Sequence, residues 1–327
     1  MPPTTRSAVL DALRREAASA PYARKVLLCR RGGEGRELMR ALARSGTSWI
    51  GFEAVTPGSF AHELVAASLA AEELRVVDEL DARALVDAAL DEVLAARPMR
   101  RLAGVADTVG FREAIYGAVT ALRIGAVGEE TLRAVRLGDA VKADLLAGTL
   151  AGYEHALARA GQIDPAGVLA RAIRELAEGL PVGLESTSIL LVPGLHRRGL
   201  VGRLIARLEE LGARVLDADP TGGEVPARLV WSDGGRDPTG PEAVELFVAA
   251  SPAEEVREVL RRALGQGARW DEVEIVATDA AAYGAALDSL ARRLEIPVSY
   301  ATGLPIERTR PGRALVGYLA WIEAGYP

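Results

Sequence analysis

The sequence predicts an α/β protein built from parallel-sheet lobes, with an all-helical block inserted into the first. Three observations carry this. Short apolar runs of strand length alternate with amphipathic helical periods towards both ends of the chain, and glycine or proline marks the turns between them. The stretch from 74 to 182 keeps a helical period almost throughout.

Taken in order, residues 5–20 have helical spacing with Val9, Leu10 and Leu13 on one face. Lys25–Cys29 is an apolar run of strand length. It ends in Arg30-Arg31-Gly32-Gly33-Glu34-Gly35, and a helix is expected from about Arg36, facing inward through Leu38, Met39 and Leu42. A second strand, Glu53–Thr56, precedes Pro57, which suits the first turn of a helix carrying Phe60, Leu64 and Val65. Helical segments follow at 82–96, 108–123, 129–136, 140–160 and 165–178, with no convincing strand among them. The alternation resumes with a strand at Ser188–Val192, a Pro193-Gly194 turn, a helix at 198–211 and a strand at Arg214–Asp217. Residues 219–241, rich in Gly, Pro and Asp, read as a linker. Strands are then expected at Val244–Ala250, Val273–Ala277 and Pro297–Tyr300, with helices at 252–265, 281–294 and 311–323. The expected domains are a first lobe from 1–73 and 183–240, a helical insertion at 74–182, and the start of a second lobe at 241–327.

Composition excludes several classes. The chain has 327 residues, 49% hydrophobic and 26% charged, a globular balance. Lys25 and Lys142 are its only lysines, and its net charge is −6, which argues against broad, sequence-independent DNA binding by this region alone. A local basic groove is compatible with that charge. Cys29 is the only cysteine, so internal disulfides and cysteine-based zinc or iron–sulfur sites are excluded. The first sixteen residues show no apolar core of signal-peptide type, and no stretch is long and apolar enough to span a membrane. A cytoplasmic setting, without membrane attachment, is expected.

The turn after the first strand is the first place to look for chemistry. A working phosphate loop reads G-x-x-x-x-G-K-[ST]: its backbone N–H groups cradle phosphate, its lysine reaches the β and γ oxygens, and its hydroxyl holds Mg²⁺. On that template Gly33 and Gly35 fall in plausible places. Arg30 replaces the first glycine, Arg36 stands where lysine belongs, and Glu37 stands where the hydroxyl belongs. Glu34 and Glu37 place negative charge beside any triphosphate. Two readings stay open: a ligand-free strand-to-helix turn, or an anion site using the helix N-terminus and Arg36.

A nucleotide motor also needs carboxylates at the end of a neighbouring strand to coordinate Mg²⁺ and position water. The matching strand, Ile189–Val192, runs into Pro193-Gly194-Leu195 without one. His62, His155 and His196 lie far apart and form no metal-ligand pattern, so no metal or other cofactor is expected in this region.

Several segments together resemble the superfamily 1 helicase fold, in the form found in the AddB-type subunit of bacterial AddAB double-strand-break repair complexes. They are Gly110–Ile115 through Leu122–Gly125, Ala143–Leu157 with its Tyr153-Glu154 pair, and Gln162–Leu169, which stands where UvrD-like helicases carry an Asp-Phe-Asp-Asp-Leu-Leu segment. The most specific run, from 247 to 320, holds Phe247–Arg257, Trp270–Val276, Leu294–Val298, Gly303–Pro305 and Thr309–Leu315. The resemblance implies RecA-like lobes, an AddA-like helicase–nuclease partner that supplies ATP-driven movement, and contact with DNA through the complex. It also implies a longer chain ending in a PD-(D/E)XK nuclease domain with iron–sulfur cysteines, an exodeoxyribonuclease subunit; Pro327 falls partway through the expected second lobe.

By position in the family, Thr56 would touch the phosphate backbone of single-stranded DNA, although capping the helix at Pro57 explains the same residue. Arg30 and Arg31 would face the vestigial cleft or a DNA path, or be ordinary surface charges. The leading expectation is a non-catalytic scaffold and DNA-path element. The alternatives are an ATPase using Arg36 in place of lysine, and an interaction module with no nucleic-acid role.

Overall fold

The computed structural model describes residues 5–97, 99, 102, 104–134, 139–181, 183–216, 229–230, 244–300 and 303–326. The protein is mixed α/β and divides into two compact units, Met1–Gly223 and Glu224–Pro327.

The first unit is built on a four-stranded parallel sheet. Its strands are β1 (Lys25–Leu28), β2 (Phe52–Val55), β5 (Ser188–Leu191) and β6 (Arg214–Val215), in the order β2-β1-β5-β6. Lys25 stands opposite Phe52 on one side and Ser188 on the other, and Leu191 stands opposite Val215. Central β1 is buried along its whole length, as its unbroken apolar run predicts for a strand covered on both faces. Its one polar member, Lys25, is also buried. The Lys25 ammonium donates to the Ala20 and Ala23 carbonyls and lies 5.1 Å from the Phe52 ring centre, while burial pulls its pKa below the usual lysine value.

Helices α1 (Thr5–Ser19), α2 (Gly32–Arg44), α3 (Pro57–Ala71), α8 (Pro165–Glu175) and α9 (Gly199–Glu210) bury Leu13, Leu42, Phe60, Leu169 and Leu204 in one core with the sheet. Helix α8 packs on α3 and α9. It is tied to the end of α3 by Arg171, whose Nη1 donates to Glu72 at 2.7 Å and whose Nε donates to Glu175 at 2.9 Å. Although its sequence continues the helical run, α8 is thus part of the sheet's core.

The helical insertion proper is bracketed by a second, two-stranded parallel pair, β3 (Arg75–Val76) with β4 (Gln162–Ile163). These strands contradict the expectation of none between 74 and 182. Two residues each are too few to show an alternating pattern, so only the partner strand reveals them. Between them lie α4 (Glu79–Ala96), α5 (Val109–Ile124), α6 (Glu129–Ala134) and α7 (Ala140–Arg159), around a separate core of Val86, Leu90, Ile115, Val119, Leu150 and Tyr153. Gly148 and Gly152, one turn apart on α7, let α4 approach closely. A Cβ on either would lie 3.0 Å from Val93 or Ala89.

The second unit packs α10 (Pro252–Gly265) against α11 (Ala280–Leu294) through Val256, Leu260, Leu287 and Leu290. Helix α12 (Arg310–Glu323) follows, and β7 (Leu229–Val230) pairs in parallel with β8 (Val244–Glu245). The expected linker at 219–241 lies outside the described residues except for Leu229–Val230, which is strand. The expected strands at Val273–Ala277 and Pro297–Tyr300 are not strands, and Val244–Ala250 keeps only its first two residues. A short apolar run becomes a strand only where a neighbour pairs with it. Here Val248 and Val276 are 91% and 87% exposed, and although Ile275 and Tyr300 pack on the core of the second unit, these runs make no strand pairing beyond Val244–Glu245 among the described residues.

Candidate functional site

In an open parallel sheet, ligands bind beyond the carboxyl ends of the strands, where crossovers leave in opposite directions. In this sheet that point lies between β1, whose chain moves out to β2, and β5, whose chain moves out to β6. The residues following these strands are Cys29-Arg30-Arg31, Thr56 and Val192-Pro193-Gly194, and α2, α3 and α9 begin just after them.

The sequence expectation of a glycine-rich turn is corrected here. Helix α2 starts at Gly32, not near Arg36, with Arg31 as its extended N-cap at φ −143° and ψ 149°. Only three residues separate strand from helix. Gly33, Gly35, Arg36 and Glu37 therefore sit on the first turns of α2: the Gly35 N–H opens the helical ladder by donating to the Arg31 carbonyl at 3.4 Å, and only the N–H groups ahead of it stay outside the ladder, with no loop to wrap them around a phosphate. Three glycines in four residues predict a loop on propensity, but Leu42 and the Gly35 contact hold the segment against the sheet, and packing overrides propensity.

Gly35 and Glu37 each have a visible occupation. Gly35 is buried, and a Cβ there would lie 2.5 Å from the Ala54 Cβ and 3.2 Å from the Cys29 sulfur. Its missing side chain is what brings α2 onto β2. Glu37 binds Arg40 at 2.8 Å. Arg36 is exposed and folds back, placing Nη1 3.6 Å from where a Cβ would stand on Gly32. Arg31 is exposed too, and neither Arg31 nor Arg36 has an ion-pair partner among the described residues.

Glu34 turns inward across the strand end. Its carboxylate accepts the Arg30 backbone N–H at 2.9 Å and the Arg30 Nε at 3.1 Å. That hydrogen bonding raises the pKa of a guanidinium that is charged at every relevant pH. The Arg30 Nη1 in turn lies 3.8 Å from where a Cβ would stand on Gly194, a left-handed residue at φ 76° in the turn after β5. An arginine held by a carboxylate from the same stretch thus reaches from the end of β1 to the turn after β5. Beneath them Cys29 is buried, and burial first, then the Glu34 charge, push its thiol up to about 12. Such a thiol is neither nucleophile nor metal ligand near neutral pH.

Across the crevice the Val192 N–H donates to the Leu28 carbonyl at 3.0 Å, extending the ladder by one step before Pro193 ends it. Thr56 caps α3: its hydroxyl accepts the Ser59 N–H at 3.2 Å and lies 2.9 Å from the Ser59 hydroxyl. His62, His155 and His196 fall on α3, on α7 and in the turn before α9. The structure therefore gathers Arg30, Glu34 and Gly194 at one crevice, with Thr56 at the end of β2, and puts Gly35 to packing.

Sequence reading missed a second polar cluster. Arg123, on α5, forks onto Asp164, the N-cap of α8, with Nε and Nη2 at 2.9 and 2.8 Å from its two oxygens. Asp164 also accepts the Gly167 N–H at 2.7 Å, and the remaining Arg123 nitrogen donates to Glu154 on α7. Asp164-Pro165 signals a helix start, but nothing in a lone sequence links it to Arg123.

Fold and strand ends together define a mixed α/β protein with a parallel sheet, a helical insertion, and an Arg30–Glu34 pair beside the turn after β5. No protein-family model matches the chain, and no curated protein matches it. Among the described residues no helix is long and apolar enough to cross a membrane.

Proposed function

We propose that this region is a non-hydrolysing, RecA-like lobe with a helical insertion and the start of a second lobe. On this reading it serves as scaffold and DNA-path element in an AddB-type subunit of a double-strand-break repair helicase–nuclease. The observation that carries the reading is the three-residue link from β1 to α2, with Glu34 folded onto Arg30 beside Gly194. A triphosphate needs a ring of free N–H groups and a cation there. This edge offers only the few unladdered N–H groups of the first turn of α2, with no loop to extend them, and a carboxylate that repels phosphate. Ile189–Val192 adds no acid for Mg²⁺, so both halves of a nucleotide site are lacking. Movement is then the task of an AddA-like partner, and no cofactor is bound by this region. Arg31 and Arg36, exposed beside the strand ends, are the side chains best placed to meet a DNA phosphate.

Calorimetric titration with Mg-ATP, followed by mixing with an AddA-type subunit, tests this. The expected result is no heat of nucleotide binding, a stable complex on gel filtration, and DNA-stimulated ATP hydrolysis that depends wholly on the partner. Micromolar affinity of the chain alone for Mg-ATP overturns it.

A further inference from the structure

The sheet and the insertion have separate apolar cores, and the chain crosses between them at only two places, Val76-Val77 and Gly161-Gln162. Those crossings lie side by side, because β3 and β4 pair in parallel: Arg75 stands opposite Gln162 and Val76 opposite Ile163. Two short strands at one point make a hinge rather than a clamp. Two residues on a shared line leave rotation about that line unopposed by backbone hydrogen bonds.

Rotation is opposed elsewhere, at the end of α5. There the Ile124 carbonyl and Gly125 abut Gly199, where a Cβ would lie 2.3 Å from that carbonyl, so the backbone of α5 rests directly on the start of α9. One residue earlier Arg123 forks onto Asp164, whose side chain is only 6% exposed, and reaches Glu154 on α7. A planar guanidinium with both carboxylate oxygens engaged fixes angle as well as distance, which a single ammonium cannot do. Arg123 also draws on both bodies, since Glu154 belongs to the insertion and Asp164 to the helix that packs beneath the sheet.

We infer that Arg123 is the latch that sets the angle of the helical insertion on the sheet, with the β3–β4 pair as the hinge about which the insertion turns when the latch is released. This inference does not rest on the nucleotide reading of the strand ends, and its test involves neither nucleotide nor DNA.

The test is a distance distribution between spin labels at Leu80→Cys on α4 and Arg203→Cys on α9, both exposed positions; Cys29 is buried and stays unlabelled. Otherwise unmodified protein should give one narrow distribution. Arg123→Lys keeps the charge and loses the fork, and should widen the distribution about twofold or add a second distance. Arg123→Ala should do so further. Arg171→Ala removes a comparable arginine network joining α3 and α8, both on the sheet's side of the hinge, and should lower the melting temperature while leaving the distance unchanged. If Arg123→Ala does not fold, Arg123→Lys decides. An unchanged distribution in the Arg123 variants, a broad one in the unmodified protein, or equal broadening by Arg171→Ala overturns the latch.

Discussion

Gly35 on α2 faces Ala54 on β2 so closely that a Cβ at position 35 would sit 2.5 Å from that of Ala54. The contact separates two reasons for a glycine. If Gly33 and Gly35 were there for a flexible loop, alanine at either would be equivalent. In a helix they diverge. Gly33→Ala meets only the far end of Arg36 at 3.9 Å, so removing the glycine's backbone entropy should stabilise the protein by about 0.5–1 kcal/mol. Gly35→Ala drives α2 off the sheet and should cost about 1–3 kcal/mol despite alanine's better propensity. Urea unfolding of the two variants gives opposite signs. Equal effects would mean that residues 32–35 are not the first turn of a packed helix.

Thr56 gives a similar discrimination. As the N-cap of α3 its hydroxyl is engaged by the Ser59 N–H. Thr56→Ala should cost about 1 kcal/mol and Thr56→Ser almost nothing. Thermal melts of the isolated chain measure this without any nucleic acid. An alanine variant as stable as the parent would release Thr56 for another role.

The buried thiol predicts a pH dependence whose sign can be worked out. In the unfolded chain Cys29 titrates near its ordinary value of 9.0, whereas in the folded protein burial holds it at about 12. Between those values the unfolded state gives up the proton and the folded state keeps it, so stability falls as pH rises through that window. Below 9 both states are protonated and the term vanishes. Cys29→Ala should therefore lose less stability than the parent between pH 9 and 11 in urea titrations. Parallel curves would show that the thiol ionises freely in the folded state.

Much of the first unit was legible because its signals are local. The apolar run Lys25–Cys29, the Thr56-Pro57 cap and Asp164-Pro165 each state their structure within a few residues. The departure of Arg36 and Glu37 from a phosphate-loop pattern is likewise a local reading of the sequence. What could not be read was settled by distant partners. Gly32–Gly35 is helical because Ala54 and Cys29 lie beneath it, and α8 joins the sheet's core through α3 and α9. β3 and β4 exist only as a pair, 87 residues apart from Arg75 to Gln162. Glu34, which the sequence marks only as repulsive charge, takes its role from folding back on Arg30. In the second unit the same locality misled: Val273–Ala277 has the composition of a strand but pairs with no strand among the described residues.

The distinction between missing residues and a missing loop yields the sharpest prediction. If the nucleotide site failed only because Arg36 and Glu37 replaced lysine and a hydroxyl, then Arg36→Lys with Glu37→Ser should restore Mg-ATP binding. Positions 36 and 37 instead lie on the helical barrel of α2, after a link of three residues. A lysine at 36 would project from that barrel with no phosphate held in front of it, because the three-residue link leaves no loop to wrap amides around a phosphate and the Glu34 carboxylate lies beside the few unladdered N–H groups of the first turn. Glu34 would still occupy the Arg30 guanidinium. The double variant is therefore expected to show no calorimetric signal with Mg-ATP at millimolar concentration, and the further change Glu34→Gln should not create one. Removing Glu34 frees Arg30 but does not lengthen the link. Saturable nucleotide binding by the double variant would mean that the first turn of α2 unwinds to form a loop, and the geometry of residues 29–35 would then be a resting state rather than the obstacle.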